Sequence, residues 1–306
     1  MNYYNEIKQE LINNEVYKKV KDISKNRSDL TTYYNVGKLL SEAGKNYGEG
    51  IIKKYSVRLT SELGKGYTPT RLRYFRRFYK VFLKYPTLSD KLSYSHYCEI
   101  IWFDESKMNY YIKITEENNL SVRELRQRIK NNEYERLDDK AKAMLIKKEE
   151  PKAEDLIKNP ILIKNTYDTN NITEKMLKGL ILENIDNFLK QLGVGFTYVG
   201  NEYPIKIGDR YYYIDILLYN IKDNKYVVLE LKNTELKKEH FGQIKTYMNY
   251  IDKNLKTAEQ NPTLGIILCK KDNKFVFEYV PNDNVIDREY ALVWYRLKLD
   301  NFSYLW

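Results

Sequence analysis

The 306 residues carry 52 Lys and Arg against 42 Asp and Glu, a net charge of +10, with only two cysteines and two histidines. No apolar run approaches the ~20 residues of a membrane span. The polar, helix-periodic start MNYYNEIKQELINNEVYKKV shows no signal-peptide core. Cys98 and Cys269 sit in separate apolar stretches, away from any zinc or disulfide spacing. The expectation is a two-domain cytoplasmic protein with reduced thiols.

In the first half, residues 1–25 predict an amphipathic helix with Ile7, Leu11, Val16 and Val20 on its apolar side. Further helices follow at 30–43 and 51–63, the last stopped by Gly64 and Gly66. Thr68-Pro69 is a strong start signal, an N-cap followed by proline at the first helical position. The next helix, TRLRYFRRFYKVF, puts Leu72, Phe75, Phe78, Tyr79 and Phe82 on a core face and carries Arg71, Arg73, Arg76, Arg77 and Lys80. Residues 51–100 hold 11 Lys and Arg against 3 Asp and Glu, a net +8. So localised an excess is the footprint of a surface for a polyanion, and helix, short turn, basic helix outlines a helix-turn-helix. His96 reads as a packing or capping residue. Ser121 and Glu124 form a capping box opening a helix whose Arg123, Arg126 and Arg128 extend the basic surface. Residues 1–136 are thus expected to be a basic, all-α nucleic-acid-binding domain. Residues 137–170, charged and broken by Pro151 and Pro160, are expected to be a linker with short helices.

The second domain, expected at 171–306, begins with a helix over 172–192 and a strand over 196–208. Then come two β-rich runs, YYYIDILLYN and YVVLELK, around a polar turn at 220–225. If this hairpin is symmetric about Lys222-Asp223, Asp215 faces Glu230, with Cβ atoms ~5 Å apart. Opposed carboxylates repel unless a cation lies between them. Glu230 and Lys232, two apart, point to the same face as Asp215, while Ile214, Ile216, Leu218, Val227, Leu229 and Leu231 form the core face. A helix over 242–253, strands at 264–270 and 274–280, and a last stretch at 288–302, strand or helix, complete the chain. Two carboxylates beside a lysine suit Mg²⁺, or Mn²⁺ in its place, and phosphodiester hydrolysis. Lys232 then orients or deprotonates the attacking water or offsets charge on the phosphorane.

Asp215 followed by Glu230-Leu231-Lys232 resembles the PD-(D/E)XK nuclease motif, with Ile214 where many members have proline. The runs LGVGFTYVG, YYYIDILLYN, YVVLELK and HFGQIKTYMNYID resemble the nuclease domain of the YhcG-like family, and NYGEGIIKKYSVRLTSELGKGYTPTRLRYFRRFYKVF, LSYSHYCEII and SVRELRQRI resemble its helical N-terminal domain. The resemblance implies an α+β chain, an all-α domain followed by an α/β restriction-endonuclease-like domain with a mixed central sheet. It implies metal ligation by Asp215, Glu230 and the Leu231 carbonyl. It makes Glu183 an acidic residue completing the site, and Gln243 and Tyr247 an accessory QxxxY pair contacting substrate or steadying Lys232. Glu202 stands where the family's run has glutamine. The function implied is a Mg²⁺-dependent endonuclease on double-stranded or branched DNA. The alternatives are an RNase, a structure-specific resolvase, and a non-catalytic binding or interaction scaffold. Whether the chain forms a homo-oligomer stays open.

Overall fold

A computed structural model describes residues 3–19, 25–48, 50–64, 66–84, 89, 91–147, 149–167, 171–273 and 284–294. Two compact units divide the chain, residues 1–134 and 135–306. In the first, α1 (Tyr3–Lys19), α2 (Lys25–Tyr47), α3 (Ile51–Leu63), α4 (Pro69–Lys84), α5 (Tyr94–Ile100), α6 (Glu105–Asn118) and α7 (Val122–Lys130) form an all-α assembly. Thr68 Oγ1 accepts the Arg71 N–H, so α4 starts where its capping sequence predicts. Its Leu72, Phe75 and Phe78 are fully buried. Gly37 of α2 lies so close to the Phe75 carbonyl that any Cβ would collide with it, so α2 and α4 touch backbone to backbone. His96 closes a capping box with Ser93 and meets the Leu120 carbonyl through Nε2. Two expectations fail here. Val16 is 59% exposed, off the core face of α1. Arg128 is buried against Glu133 and Arg126 is bound by Glu99, so neither extends a free basic surface.

The second unit holds α8 (Asp139–Ile146), a 3-10 turn at Glu154–Leu156, β1 (Ile161–Asn165), α9 (Glu174–Glu183), α10 (Ile185–Leu192), β2 (Phe196–Ile207), β3 (Arg210–Asn220), β4 (Lys225–Glu235), α11 (Lys238–Asn254), β5 (Leu264–Lys271) and β6 (Val285–Trp294). The six strands make one mixed sheet in the order β1-β6-β5-β4-β3-β2. β3 is antiparallel to both of its neighbours, β2 and β4; β4, β5, β6 and β1 run parallel. Parallel neighbours need a long crossover, and α11 supplies it between β4 and β5. α9 and α10 pack on one face of the sheet, over Leu229, Leu231 and Ile266. α11 packs on the other, over Leu217, Val228 and Ile267. At Gly265 a Cβ would strike Met248 and Ile244 of α11, so glycine lets that helix sit close to β5.

The undecided last stretch is strand β6 through Trp294; the strand expected at 274–280 lies outside the described residues. The helix expected over 172–192 is broken at Asn184 into α9 and α10. The stretch 137–170 differs from the linker expected. It carries α8, the 3-10 turn and edge strand β1, and it is tied to β6. Arg288 donates to the Ile157 carbonyl and reaches Asp138, and the Glu289 N–H donates to Asn159. Alternating apolar residues Ile161 and Ile163 feed the core, a pattern too short to stand out between charged flanks.

Candidate active site

The β3–β4 hairpin turns where its symmetry predicts. Asn220 pairs with Lys225, and the register runs evenly to Ile216 opposite Leu229. One step further the strands carry Asp215 and Glu230. Side-chain alternation slips there: Ile216 and Leu218 face the α9 side, whereas Ile214 packs with Leu217 and Val228 on the α11 side. Ile214 is therefore not on the predicted core face. The other face is apolar as well, since the sheet is covered on both sides. The candidate carboxylates thus sit at the margin of a doubly covered sheet, where a charged group finds polar partners without crossing the core.

Each Asp215 oxygen is engaged. Oδ2 accepts the Leu231 N–H at 3.0 Å, and Oδ1 lies 3.2 Å from Lys178 Nζ on α9. Glu230, only 2% exposed, accepts Lys232 Nζ at 2.9 Å and Gln243 Nε2 at 2.7 Å, both on Oε1. Its Oε2 is buried without a hydrogen-bond partner. Burial, and next the Asp215 carboxylate, push the Glu230 pKa up to about 7. Burial alone would lower the Lys232 pKa; the Glu230 carboxylate, with Glu174 and Asp215 adding to it, outweighs burial and raises the value.

Gln243 donates to Tyr247 Oη at 3.1 Å as well as to Glu230. The QxxxY pair therefore braces Glu230, not Lys232. Glu183 lies at the far end of α9, where it meets Thr166 at 3.5 Å. The acidic residue of α9 next to the hairpin is Glu174, which accepts the Asn233 N–H at 3.4 Å. Lys178 also binds Glu202 at 3.0 Å, and Glu202 holds a left-handed φ of 46°. Burial would lower the Lys178 pKa, but the Glu202 and Asp215 carboxylates raise it. Glu174 and Lys178 were not singled out in the sequence. The signal was present: they lie four apart, with buried Ile181 three further on, on the stripe of α9 that faces the sheet. His240 Nδ1 accepts the Lys237 N–H, capping α11; burial and then the Lys232 charge lower its pKa.

The donor set fits a divalent metal with few protein ligands. Asp215 and Glu230 offer two carboxylates, one with a buried oxygen lacking any donor, and Mg²⁺ keeps several waters of its own. Among the described residues no group of three or more His, Cys, Asp or Glu is placed to hold a metal. On α4, Arg73 and Lys80 are exposed. Arg71 donates to the Gly66 carbonyl, and Arg77 donates to the Ile101 carbonyl and lies over the Trp102 ring.

The YhcG PDDEXK nuclease domain matches residues 154–302, and the DUF1016 N-terminal domain matches residues 6–136. The chain belongs to the YhcG-like family. Its second unit is a nuclease domain of PD-(D/E)XK type, so the family's fold and the observed mixed sheet agree. The chain is similar to "Putative nuclease YhcG" of Escherichia coli K12, 23% identical over 310 aligned positions covering 85% of this chain and 82% of that one. Two solved structures are similar to part of it. One is a repair endonuclease from Pyrococcus abyssi, with 19% identity, 42% of this chain, 49% of that one and a TM-score of 0.28. The other is an EndoMS-dsDNA2 complex, with 20% identity, 42% and 48% coverage and a TM-score of 0.29. This chain spans about half the length of either. No helix among the described residues is long and apolar enough to cross a membrane.

Proposed function

We propose that this chain is a cytoplasmic, Mg²⁺-dependent endonuclease that hydrolyses phosphodiester bonds in DNA, with its helical unit docking the substrate. The observation that carries the reading is Glu230. It is a carboxylate buried beside Asp215 with one oxygen unpartnered, its pKa held near 7 by burial and by that neighbour. A buried, half-satisfied carboxylate beside a second one is costly for a fold and useful for a cation. Asp215, Glu230 and the Leu231 carbonyl would hold the metal; when bound it neutralises phosphate charge and activates water. Gln243 and Tyr247 fix the Glu230 rotamer. Lys232, kept cationic by Glu230, acts as a fixed positive charge toward the phosphate rather than as a base. Exposed Arg73 and Lys80 on α4 supply phosphate contacts.

The test is incubation of the purified chain with plasmid, linear, branched and single-stranded DNA and with RNA, in Mg²⁺, Mn²⁺ or EDTA. Cleavage is expected with either metal, none in EDTA, and none from Asp215→Asn or Glu230→Gln. Cleavage by either variant at the parent rate would move the active site elsewhere.

A further inference from the structure

β2 and β3 part from β4 beyond Ile216, while β4 continues beside β5 to Glu235. Pairing of β3 with β4 spans Ile216 to Asn220, whereas pairing with β2 continues through Tyr213 opposite Pro204 and Tyr211 opposite Lys206 to Arg210 opposite Ile207. The result is a two-stranded ribbon leading out of the candidate active site, with every residue from Lys206 to Tyr213 exposed. Ile205 and Ile214 anchor one of its faces in the core under α11. Tyr211 and Tyr213 alternate with Ile214 and so point the other way; they are 62% and 58% exposed. Asp215 follows two residues beyond Tyr213 and likewise turns away from the α11 side, toward Lys178 of α9, Tyr211 being about 13 Å from it along the strand. Lys206 Nζ lies 5.7 Å from the centroid of the Tyr211 ring, over its face.

A two-stranded ribbon is marginal in water, and a row of uncovered aromatic rings on one marks a surface built for a partner. Exposed rings beside a cation, leading toward a phosphodiester-cutting carboxylate, match one ligand chemistry: bases with a free π-face on a charged backbone. Bases within a duplex are stacked on each other and hide those faces; unpaired bases present them. We propose that the ribbon is a stacking platform for unpaired nucleotides, Tyr211 and Tyr213 each taking a base while Lys206, opposite Tyr211 on the same face, meets a phosphate. The strand is thereby led to Asp215, and the preferred substrate carries a single-stranded segment, as at a flap, gap or frayed end. This rests on the reading of Asp215 as part of the cutting site.

Binding in EDTA separates the two ideas, because it requires no cleavage. Fluorescence anisotropy of a labelled single-stranded DNA oligonucleotide and of its blunt duplex would be measured with the full chain and with Tyr211→Ala/Tyr213→Ala. Loss of a stacking platform costs on the order of ten-fold per base. The double variant is expected to lose at least that for the single strand and to bind the duplex as the parent does. Tyr213→Trp, which keeps a ring, is expected to retain affinity and to show tryptophan quenching on adding the oligonucleotide. Equal losses on both DNAs, an unchanged single-strand affinity, or no quenching in Tyr213→Trp would overturn the proposal. So would a parent dimer that dissociates in the double variant by sedimentation, since the ribbon would then join two copies. Should plasmid cleavage in Mg²⁺ be absent while the ribbon still selects single strands, only the nuclease reading fails.

Discussion

Lys178 Nζ stands 3.2 Å from Asp215 Oδ1, so a lysine cation already neutralises the carboxylate that a metal would need. The other Asp215 oxygen is taken by the Leu231 N–H. A divalent ion has to displace Lys178, and Glu202, 3.0 Å from the same nitrogen, is a ready second partner. Lys178→Met is therefore expected to raise Mn²⁺ affinity about ten-fold, by removing a like charge a few ångströms away. In EDTA the same variant should lose about 1–3 kcal/mol of stability, because Asp215 loses a charged hydrogen bond. Calorimetric titration and thermal melts would check both. A weaker or unchanged metal affinity would mean that Lys178 does not compete for the site.

The raised pKa of Glu230 gives a pH dependence whose sign is opposite to that of most carboxylates. Unfolded, the group loses its proton near its ordinary value; folded, it keeps it to about 7. Between those values the folded state binds more protons, so metal-free stability falls as pH rises through that window. The full effect is on the order of 3 kcal/mol at 1.36 kcal/mol per unit. Glu230→Gln should flatten this profile and equal or exceed the parent in stability at pH 8, while abolishing cleavage. Urea unfolding in EDTA from pH 4 to 9 measures it. Metal binding needs the ionised form, so Mn²⁺ affinity should rise across the same window and binding should release a proton.

How much of this was legible from the residues alone differs by region. The hairpin register followed from β-branched runs around a polar turn, because a local turn fixes pairing. The α4 cap and its buried Leu72, Phe75 and Phe78 were legible for the same reason: they depend on residues within a few positions. Strand β1 was hidden because its pairing with β6 joins residues about 130 positions apart, and no local pattern announces such a partner. That Glu174, not Glu183, lies beside the hairpin was hidden for a related reason. Which end of α9 reaches the hairpin is set by how the helix lies on the sheet, not by residues near either glutamate. The slip at Asp215 that sends Ile214 to the α11 side was equally unreadable, since strict alternation is the only local rule available.

Lys232 bears on its neighbour as well as on substrate. Its charge lowers the Glu230 pKa against burial and Asp215. Lys232→Met should therefore lose most turnover, keep Mn²⁺ binding at high pH, and shift the onset of that binding upward. A pH series of calorimetric titrations separates the outcomes. Loss of binding at every pH would make Lys232 a structural support of the site, not a charge acting on phosphate.

The basic helix α4 gives the last prediction, and the structure redraws which residues test it. Arg71 is held by the Gly66 carbonyl and lies among the Tyr67 and Phe75 rings, and Arg77 is held by the Ile101 carbonyl over Trp102. Replacing them removes internal interactions as well as charge. Arg71→Gln and Arg77→Gln should each lower the melting temperature, by about 2–4 °C for a loss near 1 kcal/mol. Arg73 and Lys80 are exposed, seven apart on one side of the helix. Arg73→Gln/Lys80→Gln should leave the melting temperature unchanged. If both residues neutralise a phosphate, the variant should reduce the salt slope of duplex binding by about 1.8, at about 0.9 for each phosphate left without its cation. The measurement is duplex affinity in EDTA across a salt series for parent and variant. An unchanged slope would exclude α4 as the docking helix, leaving the net +8 of residues 51–100 to serve a different partner.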